Sequence, residues 1–366
     1  MDTTGTHQPT TPSPAPAAQP AHAAAHVPTH MRAVVHERYG DADVLRVSTE
    51  PTPTPGPGEV LLEVHAAGLD RGTWHVMTGL PHLVRLVGFG LTRPRLRIPG
   101  MDVAGRVVVV GEGVTDLAVG DEVLGVGIGT WAEYARARAD KLVRRPARLT
   151  VEQAAALAIS GLTAYQAVHD VGRVQGGQRV LVLGASGGVG SHAVQLARAA
   201  GARVTGVASA AKADLVRDLG AQHVVDHATE DALDGSTRYD LVVDTGGRAS
   251  LRRLRRALTP TGTLVLVGGE GGGPFTGGFG RQLRAPLVSL AVRQRLVPLM
   301  SKESRAGLER LTAAVERGDV TPAVGATYPL ERAADAMRDL VAGRARGKSV
   351  IVVRSAEPAR GALDSD

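Results

Sequence analysis

The stretch RVLVLGASGGVGSHA, residues 179–193, decides the fold. Its first five residues read as a strand whose apolar run, Val180 to Leu183, needs burial on both faces. A glycine-rich turn follows, and then an Ala-rich helix over 189–200. Against the pattern G-x-G-x-x-G, Ala185 stands at the first glycine while Gly187 and Gly190 keep their places. Without a side chain, Gly187 lets the backbone approach a pyrophosphate, and Gly190 lets helix and strand pack closely. The start of the helix offers free N–H groups and the positive end of a dipole. A glycine triplet also serves any tight turn, so the context carries the inference: an apolar strand before, a helix after, and a further strand over 203–207. Ser186, Gly187, Gly188, Val189 and Gly190 are therefore the expected dinucleotide loop.

Working outward, strand and helix keep alternating: a helix over 212–219, strands at 224–225 and 239–244, a helix over 249–258 and a strand over 263–267. Such alternation predicts a doubly wound parallel sheet. Gly246 and Gly247 close its fourth strand, and Val267, Gly268 and Gly269 its fifth, at the ends where an open α/β sheet binds its ligand. The second strand ends at Ala208-Ser209 with no carboxylate, and Lys212 follows. An NAD site places Asp or Glu there to accept from the ribose 2′-hydroxyl, whereas a small hydroxyl beside a cation suits a 2′-phosphate. NADP(H) is thus the expected cofactor, read by Ser209 and Lys212. The alternative for Lys212 is a solvated side chain in the first turn of its helix.

Before residue 150 the rhythm differs. Short apolar segments at 60–64, 103–110, 122–125 and 131–134 are separated by Gly and Pro, which predicts a partly open β-barrel. Thr150-Val-Glu-Gln153 carries a helix-capping pattern. A last strand over 349–353 could return to this half.

The 366 residues leave room for two domains, and 43% hydrophobic with 21% charged residues is ordinary globular usage. With no Cys, disulfide scaffolds, Cys-ligated zinc, iron–sulfur clusters and thiolate nucleophiles are excluded. The net charge is +6, but only four of 42 basic residues are Lys (141, 212, 302 and 348). That bias points to coding composition more than to an anionic partner. Residues 1–30 are Pro/Ala/Thr/His-rich and 355–366 are polar, so both read as disordered tails, and Met31 could be the functional start. His22, His26 and His30 belong to a solvated tail more readily than to a metal site. The absence of a signal pattern and of an apolar run of ~18 residues predicts a cytoplasmic protein without stable membrane insertion.

At PGMDVAGRVVVVG (99–111), with Gly120-Asp121-Glu122-Val123, the chain resembles the medium-chain dehydrogenase/reductase superfamily. Ser160-Gly161-Leu162-Thr163-Ala164, the glycine loop and Leu219-Gly220-Ala221 through Asp226 resemble its zinc-independent quinone oxidoreductase branch. The resemblance covers about residues 31–354. It implies a GroES-like catalytic domain over 31–154, a Rossmann NADP-binding domain over 155–300, and a segment over 301–354 that completes the catalytic domain. It also implies a homodimer. The zinc members carry Gly-His-Glu where this chain has Gly100-Met101-Asp102, so no metal is expected. Relatives show Asn-x-x-Asp-Trp where Asp70-Arg71-Gly72-Thr73-Trp74 stands, and Asp-Tyr where Asp226 precedes His227; His227 takes the place beside the adenosine phosphate.

Without a Lewis acid, an electron-poor acceptor such as a quinone, enone or activated carbonyl suits hydride transfer better than an unactivated alcohol. Asp70, Trp74 and Thr163 are the catalytic candidates. Trp74 would wall the nicotinamide or sit in the barrel core. Thr163 would bond the carboxamide or cap a helix. His75 would donate a proton or be an exposed loop residue. The apolar-basic stretches 77–97 and 274–300 flank the expected cleft, as a channel for a tailed quinone or as lid and dimer-contact helices. An enoyl-thioester reductase is the alternative enzyme. A nucleotide-sensing RNA-binding module is the alternative from another class, and 3% aromatics leaves it without a stacking platform, so no nucleic-acid partner is expected.

Overall fold

A computed structural model describes residues 26–354 apart from Gly272 and Pro274. The expected tails fall outside these residues except for 26–30, and there His30 already opens a strand. In chain order the first half contains β1 (His30–Val35), β2 (Arg46–Pro51), β3 (Glu59–Leu69), α1 (Arg71–Thr78), β4 (Asp102–Val110), β5 (Glu122–Val126), β6 (Tyr134–Arg138) and β7 (Leu142–Arg144). Helices α2 (Val151–Ala155) and α3 (Ala158–Tyr165) lead into β8 (Arg179–Leu183), α4 (Gly188–Ala199), β9 (Arg203–Ala208), α5 (Ala213–Asp218) and β10 (His223–Asp226). Then come β11 (Tyr239–Asp244), α6 (Leu251–Arg256), β12 (Leu258–Leu266), α7 (Phe279–Leu290) and β13 (Arg295–Pro298). The chain closes with α8 (Arg305–Glu316), β14 (Val324–Pro329), α9 (Ala333–Val341) and β15 (Lys348–Val352).

The six-stranded sheet runs β10-β9-β8-β11-β12-β13 with every pair parallel. Counted within this half, that is the doubly wound order 3-2-1-4-5-6, whose switch point lies between β8 and β11. Its burial follows the reason given by sequence: Val180 and Val182 of β8 enter one core cluster, Leu181 and Leu183 the opposite one. Val180 to Leu183 are all apolar because both faces are covered.

The second sheet has the order β14-β15-β3-β4-β5-β7, with β6 also paired to β3. β15 lies antiparallel to β3, matching Ser349 to Leu69 and Val352 to Ala66. The last strand of the chain is thus stitched beside one of the first. One core cluster joins Ala66, Ala104 and Leu124 of this sheet to α3 and to Val180 of the other, so the two halves share buried surface. Thr150 and Gln153 form the reciprocal capping box, starting α2 where the sequence placed a helix. The strand expected at 131–134 runs instead over Tyr134–Arg138. Trp131 is fully buried and its N–H goes to the Pro99 carbonyl, so the apolar run there is a core plug and the ladder begins after it. No helix among the described residues is long and apolar enough to cross a membrane.

Candidate active site

The glycine loop links the end of β8 to α4. A Cβ on Gly190 would lie 2.1 Å from the Gly184 carbonyl oxygen, so only glycine lets α4 start this close to the strand. Gly187, the residue capping α4, differs. A Cβ there would meet nothing nearer than the Gly184 oxygen at 3.4 Å, and no side chain caps the helix. The protein leaves a space over an uncapped twelve-residue helix, the geometry that receives a phosphate. Gly246 and Gly269 are similarly open, with the first neighbour of an added Cβ at 3.8 and 3.6 Å. These cradles fit a dinucleotide lying across the switch point.

A residue missed by sequence holds the far rim. Asp244, fully buried at the end of β11, accepts from the Gly247 N–H at 2.9 Å and from Arg281 Nη1 at 2.7 Å. Arg281 also donates to the Ala249 and Gly268 carbonyls. One guanidinium from α7 therefore fixes the turns that carry Gly246, Val267 and Gly268.

At the end of β9, the Ser209 side chain caps nothing in the turn that follows. Lys212 Nζ donates to the Gly343 and Ala345 carbonyls, both at 2.6 Å. Burial, with Arg346 close by, lowers its pKa from the ordinary value. Arg346 pairs with Asp214 at 2.7 Å, and the Gly347 N–H donates to the Ser186 carbonyl at 2.8 Å. Residues 343–348 thus form a strap lying against both the phosphate loop and the end of β9. The expected solvated or phosphate-facing Lys212 is bound to that strap. His227 donates its backbone N–H to the Ala208 carbonyl, beside the same rim.

The strap ends in Lys348, which is 2% exposed. Its Nζ donates to Asp102 Oδ2 at 2.6 Å and Ser160 Oγ at 2.9 Å, and lies 3.4 Å from Asp70 Oδ2. Asp102 also accepts from the Ile159 N–H at 2.7 Å. Burial works against charge on Lys348, but Asp102 and Asp70 hold its pKa above the ordinary value. Two carboxylates share one ammonium, leaving an excess negative charge in a largely buried cluster. Burial pushes Asp102 up to about 6, with Asp70 adding to the rise and Lys348 opposing it. For Asp70 burial acts in the same direction, and the charge of Lys348 with the hydrogen bonds of Thr73 outweighs it, holding Asp70 below the usual range. His192 on α4 is also fully buried; burial lowers it to about 4, so it is neutral at pH 7, its Nδ1–H donating to Gly188.

Asp70 caps α1, accepting from the Thr73 N–H at 2.9 Å. It acts on that helix and on Lys348, and α1 carries the two aromatic candidates. Trp74 and His75 meet edge to face, with centroids 4.9 Å apart. His75 is a half-buried helix residue and not an exposed loop residue; its Nδ1–H donates to the Leu80 carbonyl. Together with Leu80, Gly269, Glu270 and Gly277 they line a pocket of about 150 Å³ between the two halves. Arg71 and Glu270, 3.7 Å apart, bridge its two sides. The stretches expected to flank the cleft meet here, the Leu83 N–H donating to the Phe275 carbonyl. Thr163 does not start a helix. It is the sixth residue of α3, its hydroxyl donates to the Ile159 carbonyl at 2.7 Å, and no side chain caps α3. Among the described residues no three metal-ligating side chains converge.

Comparison with known proteins agrees with this architecture. Residues 56–147 match the alcohol dehydrogenase GroES-like domain, and 219–351 match the zinc-binding dehydrogenase family. The chloroplast envelope quinone oxidoreductase homolog of Arabidopsis thaliana is 32% identical, over 88% of this chain and 98% of that protein. The quinone oxidoreductase of Coxiella burnetii superposes with a TM-score of 0.78 at 28% identity, over 89% of this chain and all of that one. A mycobacterial protein solved in complex with NADPH superposes with a TM-score of 0.75 at 29% identity, over 88% of this chain and all of that one. With its GroES-like half, its doubly wound nucleotide sheet and a relative of this identity over nearly its whole length, the chain belongs to the medium-chain dehydrogenase/reductase superfamily, as an oxidoreductase of the zinc-independent quinone oxidoreductase-like branch.

Proposed function

We propose that the protein transfers a hydride from NADPH to an electron-poor carbonyl acceptor, a quinone or an enone, in the pocket between Trp74, His75 and Gly269. One observation carries this reading: an uncapped helix N-terminus and the open glycine cradles at 187, 246 and 269 lead along the sheet to a pocket walled by aromatic side chains. Bound NADPH supplies the hydride. The chain's own residues do the rest. Ser186, Gly187, Gly188, Val189 and Gly190 hold the pyrophosphate by backbone N–H groups. Gly246, Val267, Gly268 and Gly269 shape the nicotinamide end, set by the Asp244–Arg281 pair. Ser209 and Lys212, with His227 beside them, select the 2′-phosphate. Trp74 orients the flat acceptor and Asp70 keeps α1 in place; Thr163 contributes through the packing of α3. Acceptors that delocalise charge need orientation more than a Lewis acid, which suits a chain with no Cys ligand and Gly100-Met101-Asp102 at the zinc motif.

This reading divides the chain into a catalytic part, 31–154 with 301–354, and a nucleotide part, 155–300. It makes the protein a cytoplasmic homodimer joined along β13, an edge strand beside the exposed Leu283, Leu287 and Leu290 of α7. The test is oxidation of NADPH and NADH by the purified protein against quinones, enones and enoyl thioesters. The expected result is NADPH-dependent reduction of a quinone or enone. No turnover with any of them overturns the reading, and preference for the enoyl thioester replaces it with the alternative reductase.

A further inference from the structure

Behind Trp74 lies a second cavity, of about 580 Å³, lined by Ala42, Trp74, Met77, Leu80, Val341 and Ala342 among others. Small-molecule sites span roughly 300–1,000 Å³, so this cavity holds a ligand by itself, while the 150 Å³ pocket holds only part of one. Trp74 and Leu80 line both spaces. The two are therefore neighbours across one side chain of α1.

Most of the polar groups around the larger cavity already have partners within the protein. The Thr78 hydroxyl donates to the Trp74 carbonyl and accepts from the Leu80 N–H. Asp41 accepts from the Asp43 N–H, and Arg338 pairs with Asp335 and Asp43. What remains for a ligand is hydrocarbon, including Val341, which is 49% exposed. Apart from Asp41 and Arg338 at its rim, such a surface gains chiefly by covering apolar area.

We propose that the cavity between α1 and α9 is a binding site for the hydrocarbon tail of the acceptor, whose carbonyl head occupies the glycine-lined pocket on the other side of Trp74. The substrate class is thus a quinone or enone bearing a long alkyl or isoprenoid chain. The inference rests on the reading of the head pocket as the acceptor site. The proposed tail site keeps Met77, Thr78 and Leu80 of the stretch 77–97 expected to form a channel, and sets residues 40–42 and α9 opposite them in place of the stretch 274–300.

The test compares a tailless benzoquinone with its decyl-substituted counterpart. Each methylene that enters the cavity multiplies binding by roughly fourfold at most, before the cost of ordering the tail. We expect kcat/KM for the decyl compound to exceed that for the tailless one by at least tenfold, chiefly through KM. Val341→Trp and Ala342→Trp fill the cavity from exposed positions and should cut that ratio at least fivefold. A redox-inert probe, 1-dodecanol, should change the emission of the protein, and the change should vanish in Trp74→Phe, since the other Trp, Trp131, is fully buried elsewhere. Equal kcat/KM for both quinones, or a ratio that neither Trp variant moves, overturns the tail site and leaves the proposed reaction standing. If no quinone or enone is reduced while dodecanol still binds beside Trp74, the reaction fails and the cavity remains an apolar ligand site. Absence of dodecanol binding overturns the site outright.

Discussion

The phosphate loop and the Lys348 cluster lie side by side: a Cβ on Gly188 would sit 2.9 Å from Ser160 Oγ and 3.1 Å from the Lys348 chain. They are built in opposite ways. The loop is a run of consecutive residues, Ser186 to Gly190, whose proposed role rests on missing side chains and on backbone N–H groups. The cluster is four side chains drawn from positions 70, 102, 160 and 348, each from a different part of the fold, and it works through charge held in a largely buried site. The loop's chemistry is written locally, while the cluster exists only once β15 has been laid against β3. A contiguous motif can be recognised before the fold is known; a scattered one is a product of the fold.

The sharpest way to break this contrast is to remove the ammonium. Lys348→Met keeps the length of the side chain but leaves Asp70 and Asp102 facing each other without a counter-charge. Losing one partner of a buried ion pair typically costs 3–5 kcal/mol, and that is the expected drop in unfolding free energy by urea denaturation. The double variant Lys348→Met/Asp102→Asn should recover part of it. A single variant within about 1 kcal/mol of the parent would mean the cluster is wetter and looser than its burial indicates, and the contrast with the loop would collapse.

The same cluster predicts a pH dependence with a definite sign. Asp102 is pushed up to about 6 in the fold against an ordinary 3.8. A group raised on folding contributes stability that is fully present below 3.8 and lost as pH rises through about 6; at ~1.4 kcal/mol per unit this is on the order of 3 kcal/mol. Asp70, lowered in the fold, and His192, lowered to about 4, act in the opposite sense, losing stability as pH falls. The useful quantity is therefore the difference between the parent and Asp102→Asn, measured from pH 4 to 7 with Lys348 charged throughout. The parent's advantage should shrink as pH rises. An advantage that grows instead would assign the excess proton to another group.

Legibility follows the same division. β8 and β11 were readable to the residue because both faces of the sheet demand apolar side chains, and Thr150 announces α2 by its capping box. Gly190 was readable because a turn this tight admits nothing else. Trp131 misled because an apolar run looks alike in a strand and in a core plug. Thr163 misled because its neighbours look like a helix start, whereas α3 follows α2 after only two residues. Asp244–Arg281 and Lys348–Asp102 pair residues 37 and 246 apart in sequence, and no periodicity reports such a pair. One local signal existed: in a chain with four Lys among 42 basic residues, each Lys stands where Arg was not used. At 348 the physical reason is a closed site that accepts a compact ammonium and not a planar guanidinium.

The loop's own test uses two alanines. Gly190→Ala drives a Cβ against the Gly184 carbonyl and must separate α4 from β8, for an expected loss of about 2–3 kcal/mol in stability. Gly187→Ala meets no protein atom within 3.4 Å and should fold within about 0.5 kcal/mol of the parent. The second variant should nevertheless weaken NADPH binding at least tenfold, measured by fluorescence titration, because its methyl enters the phosphate space. Equal NADPH affinity for Gly187→Ala and the parent would show that the cradle is structural only.

The smallest effect is expected where the two regions meet, at the strap. Lys212 was read from sequence as the partner of a 2′-phosphate, yet its ammonium already satisfies the carbonyls of Gly343 and Ala345, and burial lowers its pKa. Its contribution to a phosphate is then a through-space charge of a partly exposed group, worth up to ~1 kcal/mol. Lys212→Met should raise KM for NADPH only about threefold to fivefold. It should also raise KM for NADH slightly, since the loosened strap touches the phosphate loop at Ser186 as well. Ser209→Asp is the sharper reporter of cofactor choice: a carboxylate there accepts from a ribose hydroxyl and repels a phosphate, so the NADPH/NADH preference should fall about tenfold. If Lys212→Met instead abolished NADPH use and left NADH untouched, the ammonium would have to leave the strap on binding. The strap, and with it β15 and Lys348, would then move with the cofactor, turning the cluster from a fixed pin into the hinge between the two halves.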